Sequence, residues 1–199
     1  MTTVSVKWPL ILASASPRRW ELLGMAGIPL EVFPSQVDEK NIPGESPVEH
    51  VLRVAGAKAQ EVSRSHPDRW VLAADTVVVI DDRVLGKPRD RGEAEAMLTV
   101  LSNREHQVLT AYSILKGSSL QKREGVVITR VLFKALSAEE IRWYIRSGEP
   151  FDKAGGYAVQ GKGAFMVREV HGSYTNVVGL PLCEVLEALR ELNEVRLIG

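Results

Sequence analysis

Apolar positions along the chain follow two spacings, and the switches between them mark its elements. Val48, Val51, Leu52, Ala55, Ala59 and Val62 recur three and four residues apart, as on one face of a helix. Ser46 stands just ahead of them, with Pro47 at the first helical position and Glu49 three residues after the serine. That is a capping box, and the helix it starts runs to about His66-Pro67. Trp70 to Ile80 is instead a continuous apolar, β-branched run, a strand interrupted by Asp75 and Thr76; Asp81-Asp82-Arg83 turns it back into Val84-Leu85. Upstream, Leu10 to Ala13 predicts a short buried strand and Pro17 to Met25 a helix, with Ser16 as its cap and Gly27 ending it. Leu30 to Phe33 predicts another strand, and SQVDEKNIPGES an exposed loop. Downstream, Asp90 with Glu93 caps a helix to about Leu101, and HQVLTAYSIL and GVVITRVLFKAL form neighbouring strands. Ser137 with Glu140 caps a short helix to about Arg146, Ala164 to Val170 is a strand, and Leu182 to Leu192 a closing amphipathic helix. Strands and helices mix without a strict crossover rhythm, so the pattern predicts an α/β or α+β protein around a twisted, mixed sheet.

Composition narrows the functional classes. The chain has 199 residues, enough for one substantial core, and shows no repeat or linker that would divide it. Its 25 basic and 25 acidic residues cancel, which argues against a nucleic-acid polymer as partner. Trp8, Trp20, Trp70 and Trp143 are scattered rather than interleaved with basic residues, as core or rim positions are. The lone cysteine, Cys183, excludes an intrachain disulfide and reads as a small buried hydrophobe. No segment resembles a signal peptide or membrane span, so a cytoplasmic location is expected. The histidines at 50, 66, 106 and 171 have no zinc-like spacing with Cys183.

Three places break local rules. In LASASPRRWELL, Arg18 and Arg19 fall in the first turn of a helix, where the dipole disfavours cations unless an anion sits over the free N–H groups. Ser14 and Ser16 would add hydroxyls there; the alternative is two surface arginines paired with carboxylates such as Glu21. In WVLAADTVVV, Asp75 places a carboxylate inside a buried strand pattern, which is costly unless it is paired, hydrogen-bonded or metal-bound. Thr76 points to the opposite face of that strand, and the aspartates at 81 and 82 read as turn formers. The third place is GEPFDKAGGYAVQGKGAF with HGSYTNVVGLP, where glycines permit close backbone approach and Asp152, Lys153, Tyr157, Gln160 and Lys162 stand among them. An ordinary glycine-rich connection is the competing reading. Neither a dinucleotide fingerprint nor a P-loop is present. Lys58 falls at the margin of its helix's apolar stripe, where its head reaches a cleft or solvent, and Lys87 follows a hairpin. Glu39 and Asp75, with Asp38 behind, are candidates for a carboxylate-held Mg²⁺ or Mn²⁺. Together these features suggest a cleft for a phosphorylated ligand and a divalent cation.

From about residue 9 to 193 the chain resembles the Maf family, the septum-formation-inhibitor-like nucleoside triphosphate pyrophosphatases. The resemblance is carried by LASASPRR (12–19), VDE (37–39), AGAKA (55–59), AADTVV (73–78), LGKP (85–88), FDKAGGYAVQG (151–161) and GSYTNVVGLP (172–181), in that order. It implies a single domain over residues 1–199: a two-lobed α/β fold with a central cleft, a mixed twisted sheet flanked by helices, like the inosine-triphosphate pyrophosphatases. It also implies a cytoplasmic, often dimeric enzyme that uses a divalent cation to split a nucleotide between its α and β phosphates. The family's proton acceptor matches Asp75, and Glu39 would help hold the cation. Arg18, Thr76 and Gln160 match positions tied to specificity, and Ser14, Arg19, Lys58 and Lys87 match other polar residues of the cleft. Thr76 and the glutamine of YAVQG resemble the branch acting on dTTP and UTP, including a house-cleaning use on modified pyrimidine triphosphates. A 7-methyl-GTP pyrophosphatase and a non-enzymatic nucleotide-binding regulator of septum formation are the other readings. The chain departs from the family pattern in ASASP where ASGSP is frequent, and in its extra residues MTTVSVKW.

Overall fold

The computed structural model describes residues 3–5, 9–119, 121–192 and 196–198, of which 3–5 and 196–198 by backbone alone. Trp8 lies outside them. Elements follow in the order β1 (Thr3–Ser5), β2 (Leu10–Leu12), α1 (Pro17–Met25), β3 (Leu30–Val32), α2 (Pro47–Ser65), β4 (Trp70–Ile80), β5 (Arg83–Leu85), α3 (Arg91–Leu101), β6 (Glu105–Lys116) and β7 (Gln121–Phe133). Then come α4 (Ala138–Arg146), three 3-10 turns (Glu149–Asp152, Ala154–Gly156, Gly161–Met166), β8 (Val167–His171), α5 (Tyr174–Val178), α6 (Leu182–Glu191) and β9 (Arg196–Ile198). Seven strands form one mixed sheet in the order β3-β2-β4-β6-β7-β8, with β5 pairing β4. β2 is parallel to β3 and β4, whereas β5 runs antiparallel to β4 and β8 to β7. β1 and β9 form a separate antiparallel pair. This is the mixed α/β architecture expected from the pattern.

Local chemistry accounts for the element starts. Ser46 and Ser137 each cap a helix through a reciprocal box with Glu49 and Glu140, satisfying backbone donors that the helix leaves orphaned. Asp90 caps α3 by accepting from the Glu93 N–H at 2.8 Å, while the Glu93 carboxylate turns to the Arg89 N–H. Asp81 and Asp82 both take positive φ, the geometry of a two-residue hairpin turn, and join β4 to β5. They are turn formers, with Asp81 also pairing Arg104 at 2.6 Å.

Four expectations are corrected. Ser16 holds the N-cap position of α1 ahead of Pro17 as expected, but its side chain makes no cap bond, and its own N–H donates to Ser14 Oγ at 3.3 Å. Residues 164–166 are not strand, because Gly161 has φ 65° and a Cβ at Gly163 would lie 2.5 Å from Ala158 O. The chain is held there in a tight 3-10 turn that an extended backbone cannot follow. Val48 is exposed, at the first turn of α2 before the stripe meets the core. Cys183 is exposed too, since α6 buries Val185, Ala188 and Leu189 and turns residue 183 outward.

By contacts the chain divides into two units, one of Met1–Asp75, Thr110–Val126 and Gly179–Gly199, the other of Thr76–Leu109 and Val127–Val178. The long strands β4, β6 and β7 contribute residues to both. In the first unit Ile11, Ala13, Ala59, Val62, Val71 and Ala73 pack together under α2. In the second, α3 and α4 close over Val78, Val108, Val131, Phe133, Tyr157 and Met166.

Candidate active site

The first unit gathers most of the charged residues singled out in the sequence. Arg19 is buried: its Nε donates to Gly179 O at 2.8 Å and its Nη1 to Ser14 Oγ at 2.9 Å. Burial pushes this guanidinium below its usual range, and the carboxylates of Asp75 and Glu39 pull it back up. Arg19 is therefore not a surface arginine. Arg18, one position earlier, is half-buried.

Lys58 reaches inward from the second half of α2, nine-tenths buried, between two carboxylates. Its Nζ lies 2.5 Å from Glu39 Oε1 and 2.9 Å from Asp75 Oδ1. Glu39 comes from the loop before α2 and Asp75 from the middle of β4, where it is buried among apolar neighbours. Arg19, Lys58, Glu39 and Asp75 therefore form a balanced set of two cations and two anions, which is how such charges are tolerated away from water. Two oxygen ligands converging on one ammonium suit Mg²⁺ or Mn²⁺, hard cations that take one or two carboxylates and fill their shell with water and substrate phosphates. Among the described residues no group of three or more His, Cys, Asp or Glu side chains could hold a metal, so those extra ligands would be needed.

His50 was not singled out by sequence reasoning as part of this set. It is buried on α2 eight residues before Lys58, on the same face. Its Nδ1 is 3.2 Å from Glu45 Oε2 and its Nε2 3.9 Å from Asp75 Oδ2. Glu45 is clasped by Arg53, and that hydrogen bond above all holds its carboxyl down at about 2. The two-turn spacing between His50 and Lys58 was the available signal.

The second unit carries the remaining candidates. Thr76 is half-buried at the strand position after Asp75. Lys87 is exposed in the segment after β5. That segment meets the glycine-rich loop, since Gly155 N donates to Gly86 O at 2.9 Å, and a Cβ at Gly155 would come within 2.9 Å of Val78. Gln160, half-buried, precedes the last 3-10 turn. Its loop is anchored from both sides: Tyr157 hydroxyl lies 2.7 Å from His106 Nε2, and the Glu149 carboxylate accepts from the N–H groups of Lys162 and Gly163. Close backbone approach at Gly155 and Gly163 is thus required by the fold of this unit itself.

A sequence profile for Maf-like proteins matches residues 9–192. The chain belongs to the Maf-like family. Among Maf-like relatives, a protein of Syntrophus aciditrophicus (strain SB) named dTTP/UTP pyrophosphatase is 53% identical over 190 residues, 96% of this chain and 93% of that protein. One of the same name from Geotalea uraniireducens (strain Rf4) is 50% identical over 196 residues, 96% and 99% of the two chains. The solved structure of the Staphylococcus aureus Ham1 protein superposes with a TM-score of 0.53 at 14% identity, covering 92% of this chain and 98% of that one. At that identity the likeness speaks for fold, and it places this Maf-like chain in the Ham1 type of architecture. Among the described residues no helix is long and apolar enough to cross a membrane.

Proposed function

We infer that this chain is a nucleoside triphosphate pyrophosphatase that hydrolyses dTTP and UTP to the monophosphate and pyrophosphate. Membership of the Maf-like family and the shared name of relatives at about half identity support the activity. The observation that carries the chemistry is Lys58 drawing Glu39 and Asp75 to one point beside buried Arg19.

In this reading a bond forms between a water oxygen and the α phosphorus while the bond from that phosphorus to the α–β bridging oxygen breaks. The water's proton passes to Asp75, and pyrophosphate leaves. Such transfers depend on positioning and charge neutralisation more than on covalent chemistry. Arg18 and Arg19 at the start of α1, with Lys58 and Lys87, would hold the polyphosphate, Ser14 fixing the Arg19 fork. Glu39 and Asp75 would hold the divalent cation, which when bound neutralises phosphate charge and lowers the pKa of water. Thr76 and Gln160 would read the base; a carboxamide both donates and accepts, matching the N3–H and carbonyl edge of uracil or thymine. A cytoplasmic location, a homodimer and a house-cleaning role on modified pyrimidine triphosphates belong to the same proposal.

Replacing Asp75 with Asn keeps the side chain's shape and removes the proton acceptor. A positioned general base contributes about 100-fold to 10,000-fold, and pyrophosphate release from dTTP is expected to fall by that order. Activity near that of the unaltered chain refutes the role. A panel of nucleoside triphosphates, with 7-methyl-GTP included, tests the substrate assignment, and Gln160→Ala is expected to erode the preference for uridine over guanosine.

A further inference from the structure

The turn that follows Gln160 is capped from outside. A helical turn leaves its first backbone donors for a side chain, and the residue just ahead of it ordinarily accepts from the second or third N–H. Gln160 holds that place before the turn Gly161–Met166, with φ −105° and ψ 168°, yet its side chain makes no cap bond. The second and third N–H groups, of Lys162 and Gly163, donate instead to the carboxylate of Glu149, at 3.0 Å to Oε1 and 3.3 Å to Oε2. Residue 161 lets the carboxylate in: Gly161 has φ 65°, and a Cβ there would lie 2.9 Å from Glu149 Oε1. Good caps are Ser, Thr, Asp and Asn, short side chains that bond to nearby backbone. A glutamine can stand at 160 because Glu149 takes their part.

Glu149 is itself fixed along its backbone. Ser147, at the end of α4, donates through Oγ to Tyr144 O at 2.6 Å and accepts from the Glu149 N–H at 3.2 Å. Gly148 makes the reversal between them with φ 80°, and buried Pro150 follows. On the other side Lys153 Nζ donates to Glu149 O at 2.7 Å. α4 thus reaches the backbone beside Gln160 through Ser147 and Glu149, and every residue on this path lies in the second unit. A side chain that reads a ligand needs supporting hydrogen bonds of this kind, because small displacements cost recognition. A clamp that served stability alone would leave base selection untouched; one that positions Gln160 would not.

We propose that Glu149 is a positioning residue for base selection: by capping the turn from outside it fixes the backbone next to Gln160 and leaves that carboxamide to the nucleobase. The proposal rests on Gln160 reading the base, as inferred above. Steady-state rates with UTP and GTP give the ratio of kcat/KM for the unaltered chain, Glu149→Ala, Gln160→Ala and the double variant. Glu149→Ala is expected to lower the preference for UTP about tenfold, the scale of a hydrogen bond to a charged group. In the Gln160→Ala background the same change is expected to move the ratio by about twofold or less, because the two residues act as a unit. Glu149→Gln keeps one acceptor oxygen, so its ratio should fall between those of the unaltered chain and Glu149→Ala. It also carries the comparison if Glu149→Ala loses its cooperative unfolding. Where Gln160→Ala erodes the preference, three results overturn the proposal: a Glu149→Ala chain that keeps the ratio, one that loses kcat/KM for both nucleotides by the same factor, or a double variant whose losses simply add. A Gln160→Ala chain that keeps the preference overturns the base-reading assignment and this proposal with it.

Discussion

Mild acid should weaken this protein through one buried histidine, His106, above the pH at which Glu45 begins to lose its contribution. His106, at the start of β6, is 3% exposed, packed at its edge against Phe133 and Tyr157, and its Nε2 faces the Tyr157 hydroxyl at 2.7 Å. Burial pulls its pKa from 6.5 down to about 4. The folded state therefore keeps the ring neutral in a range where the unfolded chain takes up a proton. Stability is complete above pH 6.5 and declines as pH falls toward 4, the sign expected when the unfolded state binds more protons. At ~1.4 kcal/mol per tenfold change in proton affinity, the whole effect is about 3 kcal/mol, of which about 2.5 kcal/mol is lost by pH 4.5. Glu45 cannot mimic this. Its carboxyl is held at about 2, chiefly by Arg53, so its contribution is present above its usual 4.5 and fades only below that value. Urea unfolding followed by tryptophan fluorescence at steps from pH 7.5 to 4.5 measures the slope. His106→Gln keeps a polar partner for Tyr157 and removes the titration, so its unfolding midpoint should be flat across the window relative to the unaltered chain. Parallel loss of stability in both proteins refutes the assignment.

Other outcomes follow from the same geometry. Lys58→Met leaves Glu39 and Asp75 facing each other without their shared cation; removing one partner of a buried ion pair costs about 3–5 kcal/mol, and part of it should return in a double variant with Asp75→Asn. Added Mg²⁺ or Mn²⁺ should raise the melting temperature of Lys58→Met more than that of the unaltered chain, and equal shifts in both count against a cation site at these carboxylates. The two neighbouring arginines should behave differently: Arg18→Ala is expected to lower dTTP turnover while changing stability by about 1 kcal/mol or less, whereas Arg19→Ala, which loses the bonds to Gly179 and Ser14, should cost about 2 kcal/mol as well as activity. Denaturant midpoints measured beside turnover separate the two. Gly163→Ala forces a methyl group against Ala158 O and the Tyr144 hydroxyl, and thermal melts should register about 2 kcal/mol or more of destabilisation.

Sequence pattern was most informative where a local interaction decides the structure. The serine boxes of α2 and α4, the proline starts and the Asp81-Asp82 turn each complete their hydrogen bonds or dihedrals within a few residues, so their chemistry can be read without the fold. It was least informative where distant residues decide. Tyr174–Val178 is rich in β-branched residues yet helical, because buried Asn176 donates to Val108 O and Thr129 Oγ1, contacts 68 and 47 positions away. The same division runs through the candidate site. Asp75 was legible because a carboxylate inside an apolar strand is a conflict that one window of sequence exposes. How that conflict is resolved, by Lys58 from 17 positions away and by a loop glutamate on its far side, was not. Nor could the helix start assign different duties to Arg18 and Arg19. The dipole argument treats both as misplaced cations over exposed N–H groups. Burial separates them: Arg19 is bonded to the fold and electrically coupled to Asp75 and Glu39, so part of its reason for standing there is structural. Arg18, at the same turn and only half-buried, is the purer test of whether an anion occupies that end of the helix.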